Sequence, residues 1–427
     1  MLVPIAYWQK GKGIIIAINI ELEDTKMRTR RKKTIKFLQE FSIPLIAGVF
    51  MALIWANLSP GSYHHFVHNK IFGDLTVHFL ANDIFMVFFF AIATVEITQS
   101  LLPGGDLNPL KRAINPIMAT VGGVIGPAVV YIALNHFWGS PDFIRGWGIP
   151  TATDIALAWL VARLVFGAYH PAVSFLLLIA ILDDGLGLLI IALFYPDPLN
   201  PVVPMWLLVT LSGMLVAFLL KKAKVKSYWP YLIFGGILSW IGLYLTHIHA
   251  ALALVFIIPF LPNVTKESAH LFEDDSRGRS TLRQFEHEWK TFVDFGLLLF
   301  GLTNAGVEFS EISTITWLVL VSLVIGKTAG IFMMGWIAAV LGFPLPKGMK
   351  HKELFVVGLV ASIGLTVALF VAGVAFNDVS LQGAAKMGAL FSVGSVVISL
   401  VAGNMLGIEK KTVERQITAV KEKISQS

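Results

Sequence analysis

No cysteine occurs in this sequence, which excludes structural disulfides, thiolate metal sites and cysteine nucleophiles. Charge is scarce as well: Asp, Glu, Lys and Arg make up 14% of the residues, against 56% hydrophobic. Soluble domains carry about 25% charged residues. With a mean hydropathy of +0.74 and apolar runs of about twenty residues, the composition describes an all-α integral membrane protein. The N-terminal residues are not expected to act as a secretory signal, because the apolar stretch Gly13 to Ile20 is too short to span and no small-residue cleavage site follows it. A nucleic-acid-binding patch is missing too. The formal charge is +6, but the basic residues alternate with apolar segments instead of forming one stripe.

What is there is a series of twelve apolar segments, at 41–58, 84–102, 114–137, 147–165, 172–194, 205–220, 230–245, 248–261, 292–307, 315–341, 354–376 and 386–406. The seventh and eighth form one stretch from Pro230 to Pro262. As a single helix it would run ~50 Å against a ~30 Å hydrocarbon core, so a turn near Thr246-His247 is expected. Charge agrees: Lys221, Lys222, Lys224 and Lys226 precede the stretch, and Lys266, Arg277, Arg279, Arg283 and Lys290 follow it. Both clusters lie on the cytoplasmic side only if the chain crosses twice between them. That side also collects the 28–36 basic run, Lys111-Arg112 and the tail from Lys410, so both termini are expected in the cytoplasm. The chain divides into a basic segment 1–40, a membrane domain 41–406 and a charged tail 407–427. Residues 1–26 differ in character from the rest, and Met27, which opens the basic run, reads as an alternative start; N-terminal mass spectrometry decides between them.

Against this apolar background a few charges stand out. Asp183 and Asp184 sit in the middle of the run Ala172 to Phe194, which has no basic residue to neutralise them. A carboxylate at bilayer depth costs several kcal/mol unless it is paired, protonated or ion-bound. Asp154 in the fourth segment and Lys327 in the tenth are similarly placed, whereas Glu96 lies near the end of the second. The plain alternative for each is a static interhelical ion pair. The fourth segment also contains Pro150-Thr151-Ala152-Thr153-Asp154, a run of breaker and polar residues that favours local unwinding. In the eleventh segment, Gly358 and Ser362-Ile363-Gly364-Leu365-Thr366 form a counterpart. Irregular backbone at this depth survives only where it lines a cavity or is buried in protein. The two segments run in opposite directions, so segments 3–5 and 10–12 are expected to form an inverted repeat with broken helices 4 and 11. Facing helix ends then carry partial charges, which Asp154 and Lys327 would balance.

Taken together, Ala152-Thr153-Asp154-Ile155-Ala156, Ile181-Leu182-Asp183-Asp184, Asn304-Ala305-Gly306-Val307, Gly326-Lys327 and Ile363-Gly364-Leu365-Thr366 resemble the bacterial NhaA-type sodium/proton antiporters, a family that exemplifies inverted repeats and broken helices. The resemblance covers residues 41 to 406. It implies a secondary antiporter of the bacterial inner membrane that exchanges cytoplasmic Na⁺ or Li⁺ for external H⁺, with no cofactor. Asp184 would be the principal cation and proton carrier, and Asp183 its partner, paired with Lys327 when the cation is absent. Thr153 and Asp154 would support the crossing near the ion. Glu96, His249, Glu286 and His287 match positions linked to pH regulation. A homodimer through the 61–79 region is implied, with no soluble partner or nucleic acid. Departures are Ser100 at the second carboxylate position after Glu96, Ser362 in place of a glycine, and the Gly185-Leu186-Gly187 run, which suggests flexibility after the aspartates.

Two unit charges ~5 Å apart at an effective dielectric of ~20 repel by about 3 kcal/mol, so the aspartate pair is expected to share a proton near neutral pH and to titrate as a unit. A dehydrated alkali cation takes the same oxygens by displacing protons. Two other readings use these residues differently. A sodium-coupled solute symporter would need an organic solute for Na⁺ uptake. An intramembrane aspartyl protease would have Asp154 share a proton with Asp183 or Asp184 on a different span, but its Tyr-Asp and Gly-x-Gly-Asp elements are absent and Lys327 would have no use.

Overall fold

The computed structural model describes residues 43–408 apart from 74, 104–106, 108–109, 169, 197–200 and 264–279. Met27, the 28–36 basic run, Lys266, Arg277, Arg279 and the tail from Lys410 lie outside the described residues. The chain opens with α1 (Ile43–Leu58), a short helix α2 (Pro60–His68) and an antiparallel hairpin of β1 (Lys70–Phe72) and β2 (Leu75–Thr76). Then come α3 (Val77–Leu101), α4 (Leu110–Trp138), the 3₁₀ helix α5 (Pro141–Thr151), α6 (Ile155–Phe166) and α7 (Pro171–Phe194). They are followed by α8 (Pro204–Lys222), α9 (Tyr231–Thr246) and the 3₁₀ segment α10 (Ala250–Phe260). The last part holds α11 (Thr281–Asn304), α12 (Thr314–Val340), α13 (His351–Ala361), α14 (Thr366–Ala375) and α15 (Val379–Met405).

Six of these helices, α3, α4, α7, α8, α12 and α15, are long and apolar enough to cross a bilayer, and the number rises to eight if each bent pair, α5–α6 and α13–α14, is one span. Helices α1, α9 and α10 are apolar but shorter. The chain is therefore a helical, multi-pass membrane protein. Local chemistry explains the ends. The Ser280 side chain accepts from Arg283 N–H and starts α11. Asp378 accepts from the N–H groups of Ser380 and Leu381 and starts α15. Between α9 and α10 the turn falls on His247, whose φ of 61° stops the helix. Several starts lie earlier than hydropathy places them: Val77 rather than 84, Thr281 rather than 292, and Val379 rather than 386. Polar first turns such as Thr281 to Lys290 are helical without being apolar, so a hydropathy window misses them.

Burial sorts the helices. In α8 only 17% of the apolar window is buried, against 56% in α3, α7, α12 and α15, so α8 is peripheral and the others enclose the centre. The tightest crossing joins α4 to α12 through Gly122, Gly126, Gly326 and Gly330. A Cβ at Gly122 would lie 2.1 Å from the Gly330 carbonyl, and one at Gly126 would lie 2.3 Å from the Gly326 carbonyl. Only glycine permits this backbone contact, the small-xxx-small packing of membrane helices. Within α12 the turn from Ser322 to Lys327 is a π-helix, which shifts the register of the helix just where Lys327 leaves it.

Candidate functional site

The site forms where two interrupted helices cross. α5 ends at Thr151 and α6 begins at Ile155, with a 56° bend; α13 ends at Ala361 and α14 begins at Thr366, with a 51° bend. The two gaps hydrogen-bond to each other: Asp154 N–H donates to the Ile363 carbonyl (2.7 Å), and the Thr153 hydroxyl donates to the Ala361 carbonyl (2.9 Å). Gly364 lies at the contact, where a Cβ would come within 2.9 Å of the Ala152 carbonyl. The Asp154 carboxylate accepts from Leu157 N–H (3.0 Å) and Thr366 N–H (3.3 Å), so one side chain caps the first turns of both α6 and α14. Helix N-termini carry partial positive charge, which this carboxylate offsets. At the other polarity, Lys327 Nζ donates to the Thr151 carbonyl at the end of α5.

The helix breaks differ in detail from the sequence reading. Pro150 lies inside α5, two residues before the gap. Gly358 is not a break residue: it sits inside α13, where a Cβ would come within 2.9 Å of the Thr328 carbonyl, so its smallness serves packing against α12. Ser362 ends α13 and takes a hydroxyl partner that glycine would lack. It donates to the Leu359 carbonyl (2.7 Å) and lies 2.9 Å from the Ser395 hydroxyl of α15. Ser392 of α15 accepts from Gly364 N–H at 3.1 Å.

Helix α7 brings the acidic pair to this crossing. It is continuous through Gly185-Leu186-Gly187, so the glycines do not loosen it as the sequence suggested. Asp183 Oδ2 accepts from Lys327 Nζ at 2.6 Å, and both side chains are fully buried. Thr153 lies beside Asp183. Asp183 Oδ1 and Asp184 Oδ1 are buried with no hydrogen-bond partner. A buried polar atom left unpaired costs about 1–3 kcal/mol, more if charged. Two such oxygens on adjacent residues make a place for a proton or a hard cation, with Lys327 supplying one positive charge. Among the described residues no three His, Asp or Glu side chains converge as a chelating cluster, and an alkali cation does not require one.

Of the four residues that the family resemblance associates with pH regulation, three lie together and one lies apart. Lys290 approaches Glu96 at 3.9 Å, and Gln99 donates to Glu286 at 2.8 Å, joining the end of α3 to the start of α11. His287 is exposed beside them. Ser100, at the expected carboxylate position, donates to the Glu96 carbonyl instead. His249 is at the opposite end of α3, edge-on to Phe370, where it lines a cavity of about 600 Å³ together with His78, Asn82 and Asn304. The sequence reading missed the α4–α12 glycines, although the spacing of Gly122 with Gly126 and Gly326 with Gly330 was legible. It also missed Ser392, Ser395 and the Thr151 carbonyl, for which no signal exists before the fold is known.

Comparison with known proteins gives one consistent answer. The family model described as Na⁺/H⁺ antiporter 1 matches residues 33–406. The Na⁺/H⁺ antiporter NhaA of Desulfitobacterium hafniense is 72% identical over 380 residues, covering 89% of this chain and 98% of that protein. That of Geobacter sulfurreducens is 62% identical over 379 residues, covering 89% and 99%. Among solved structures, the sodium/proton antiporter MjNhaP1 from Methanocaldococcus jannaschii matches with a TM-score of 0.52 at 15% identity, over 93% of this chain and 99% of that one. That likeness speaks for the fold alone.

Proposed function

We propose that this chain, which belongs to the NhaA-type Na⁺/H⁺ antiporter family, exchanges cytoplasmic Na⁺ for external H⁺ across a bacterial inner membrane. The reading is carried by one observation: the unpartnered oxygens of Asp183 and Asp184 beside a buried Lys327 at the crossing of two interrupted helices. In the empty state Lys327 holds Asp183 charged and Asp184 retains a proton. Na⁺ or Li⁺ enters by displacing protons, taking carboxylate oxygens together with hydroxyl or carbonyl oxygens near Thr153. Asp154 keeps the two gaps in register and the N-terminal ends neutralised. Because cation and proton compete for the same oxygens, a site that turns between faces only when occupied carries a different passenger in each direction. With two protons per Na⁺, one net charge moves per cycle, and a membrane potential contributes about 2.3 kcal/mol per 100 mV.

The proposal includes twelve spans, counting α1, α9, α10 and α11 with the long helices and each bent pair as one, with both termini in the cytoplasm. Segments 3–5 and 10–12 are the inverted halves, and the protein works as a homodimer through the 61–79 region. The faces follow from charge: Lys221 and Lys222 at the end of α8 mark the inside, and the α2 and α9–α10 ends mark the outside. The test is dequenching of a pH-sensitive dye in everted vesicles, with Na⁺, Li⁺ and K⁺ added separately from acid to alkaline pH. Na⁺-driven proton efflux without any organic solute is expected. Na⁺ movement that requires such a solute would replace exchange by symport.

A further inference from the structure

The 600 Å³ cavity near His249 is lined by His78, Asn82, Asp83, His247, Asn304 and Gln382, among others, and the exchange reading places it at the outer face. From its wall a chain of imidazoles leads to the surface. His78 stacks on His68 (5.4 Å between ring centres, 27°), and His68 lies 4.5 Å from His64. His64 and His68 are exposed on α2. In the other direction the polar chain runs inward: the Asn82 amide meets His78 Nε2 at 2.9 Å, and Asn304 Nδ2 donates to Asn82 Oδ1 at 3.0 Å. The direction of these bonds is set at the inner end. Asn304 Nδ2 also donates to the Phe300 carbonyl (3.1 Å), and a carbonyl only accepts, so the amino group of Asn304 faces outward to Asn82. Asn82 must then offer its oxygen to Asn304 and its amino group to His78. That leaves His78 Nε2 as an acceptor, a neutral imidazole with its proton on Nδ1.

We propose that His78 is an external-pH switch at the outer mouth: protonation of Nε2 breaks the bond to Asn82, forces that amide to rearrange against Asn304, and adds a positive charge to the cavity wall, weakening Na⁺ entry from outside in acid. The inference rests on the exchange reading. The charged and titratable surroundings are mixed. His68 stacks on it from α2, with His64 beyond; Lys386 acts on it from α15. His247 and His249 of the α9–α10 turn and Asp83 of its own helix line the same cavity, and Glu311, with Glu308 beside it, lies against Gly383 of α15. Lys386 is buried, with its stem 3.9 Å from where Gly373 of the cavity wall would carry a Cβ. Burial first, then His64 and Lys386, hold His68 below the usual imidazole range. Glu311, raised by burial and by Glu308, is a weak counterweight. An acid exterior is the condition in which sodium extrusion runs into a proton-rich medium and re-entry would undo it.

The test uses the full chain in oriented proteoliposomes, with Na⁺ half-saturation measured from each face as pH is lowered on that face. Both faces lose affinity through competition at the aspartates, but the outer face should lose about threefold more. Ile97, which packs against Gly185 beside Asp184, is on the same helix as His78, roughly 28 Å away at 1.5 Å per residue, and one added charge acts over that distance at an effective dielectric of ~20. H78Q, which stays neutral and can still accept from Asn82, should remove the excess and leave the inner face unchanged. His68→Gln, an exposed change, should make the excess set in at higher pH. Nitrogen-15 spectra of histidine-labelled protein should show an unprotonated Nε2 for His78 at neutral pH, a readout that needs no transport. An excess that survives in H78Q, a protonated Nε2, or equal pH dependence at both faces of an active wild type would overturn the switch. Loss of exchange at both faces of the wild type would instead overturn the exchange reading.

Discussion

Asp184 and Asp183 differ in one respect that gives them separate jobs: Asp183 has an ammonium partner at 2.6 Å, and Asp184 has none. We predict that Asp184→Asn abolishes Na⁺-driven proton flux in vesicles while the protein still inserts and keeps its melting temperature, because a neutral amide removes the exchangeable charge without removing a bonded partner. Near-normal flux in that variant would show that the carrier lies elsewhere. Lys327→Ala should act in the opposite way. It strands Asp183 and frees the Thr151 carbonyl, and breaking a fully buried pair costs about 3–5 kcal/mol. Its melting temperature should fall, and half-maximal exchange should move to higher pH, since Na⁺ must then displace protons from carboxylates with no ammonium beside them. An unchanged melting curve and pH profile would rule out the pair as a working element.

The helices show why some of this was legible in advance and some was not. Asp154 was conspicuous as an acid in an apolar segment, but its partners, Leu157 N–H and Thr366 N–H, belong to two helices far apart in sequence. Composition marks a charge that needs an explanation; only the crossing says what supplies it. The turn at His247 was inferred because one helix would have been too long, whereas Gly358 was misjudged because a glycine that packs and a glycine that breaks look alike in a string. The crossing of α4 and α12 was overlooked, yet it fixes the depth of Lys327. We predict that Gly126→Ala or Gly330→Ala lowers stability by at least the about 1–3 kcal/mol of an overpacked core and reduces exchange more than binding, since the added Cβ meets backbone oxygen that has no way to yield. A melting curve and transport rate equal to wild type would contradict the close approach. Asp154→Ala should cost about 1–2 kcal/mol for each lost cap, read from thermal unfolding in detergent.

For the whole molecule, topology and charge balance are the open quantities, and the absence of cysteine makes the first directly accessible. A single cysteine at Ser310, in the exposed loop before α12, should react with an impermeant maleimide from outside intact cells. One at Ala223, after α8, should react only once the membrane is opened; the reverse pattern would invert the assigned faces. Charge balance is where the acidic pair meets the energetics of the cell, and counting the protons released when Na⁺ binds tests it most directly. Titration calorimetry of the purified chain in buffers of different ionisation enthalpy yields that count. We expect close to two protons per Na⁺ in the wild type and no proton-linked Na⁺ binding in Asp184→Asn, whereas Na⁺ binding that releases no protons would contradict competition at Asp183 and Asp184.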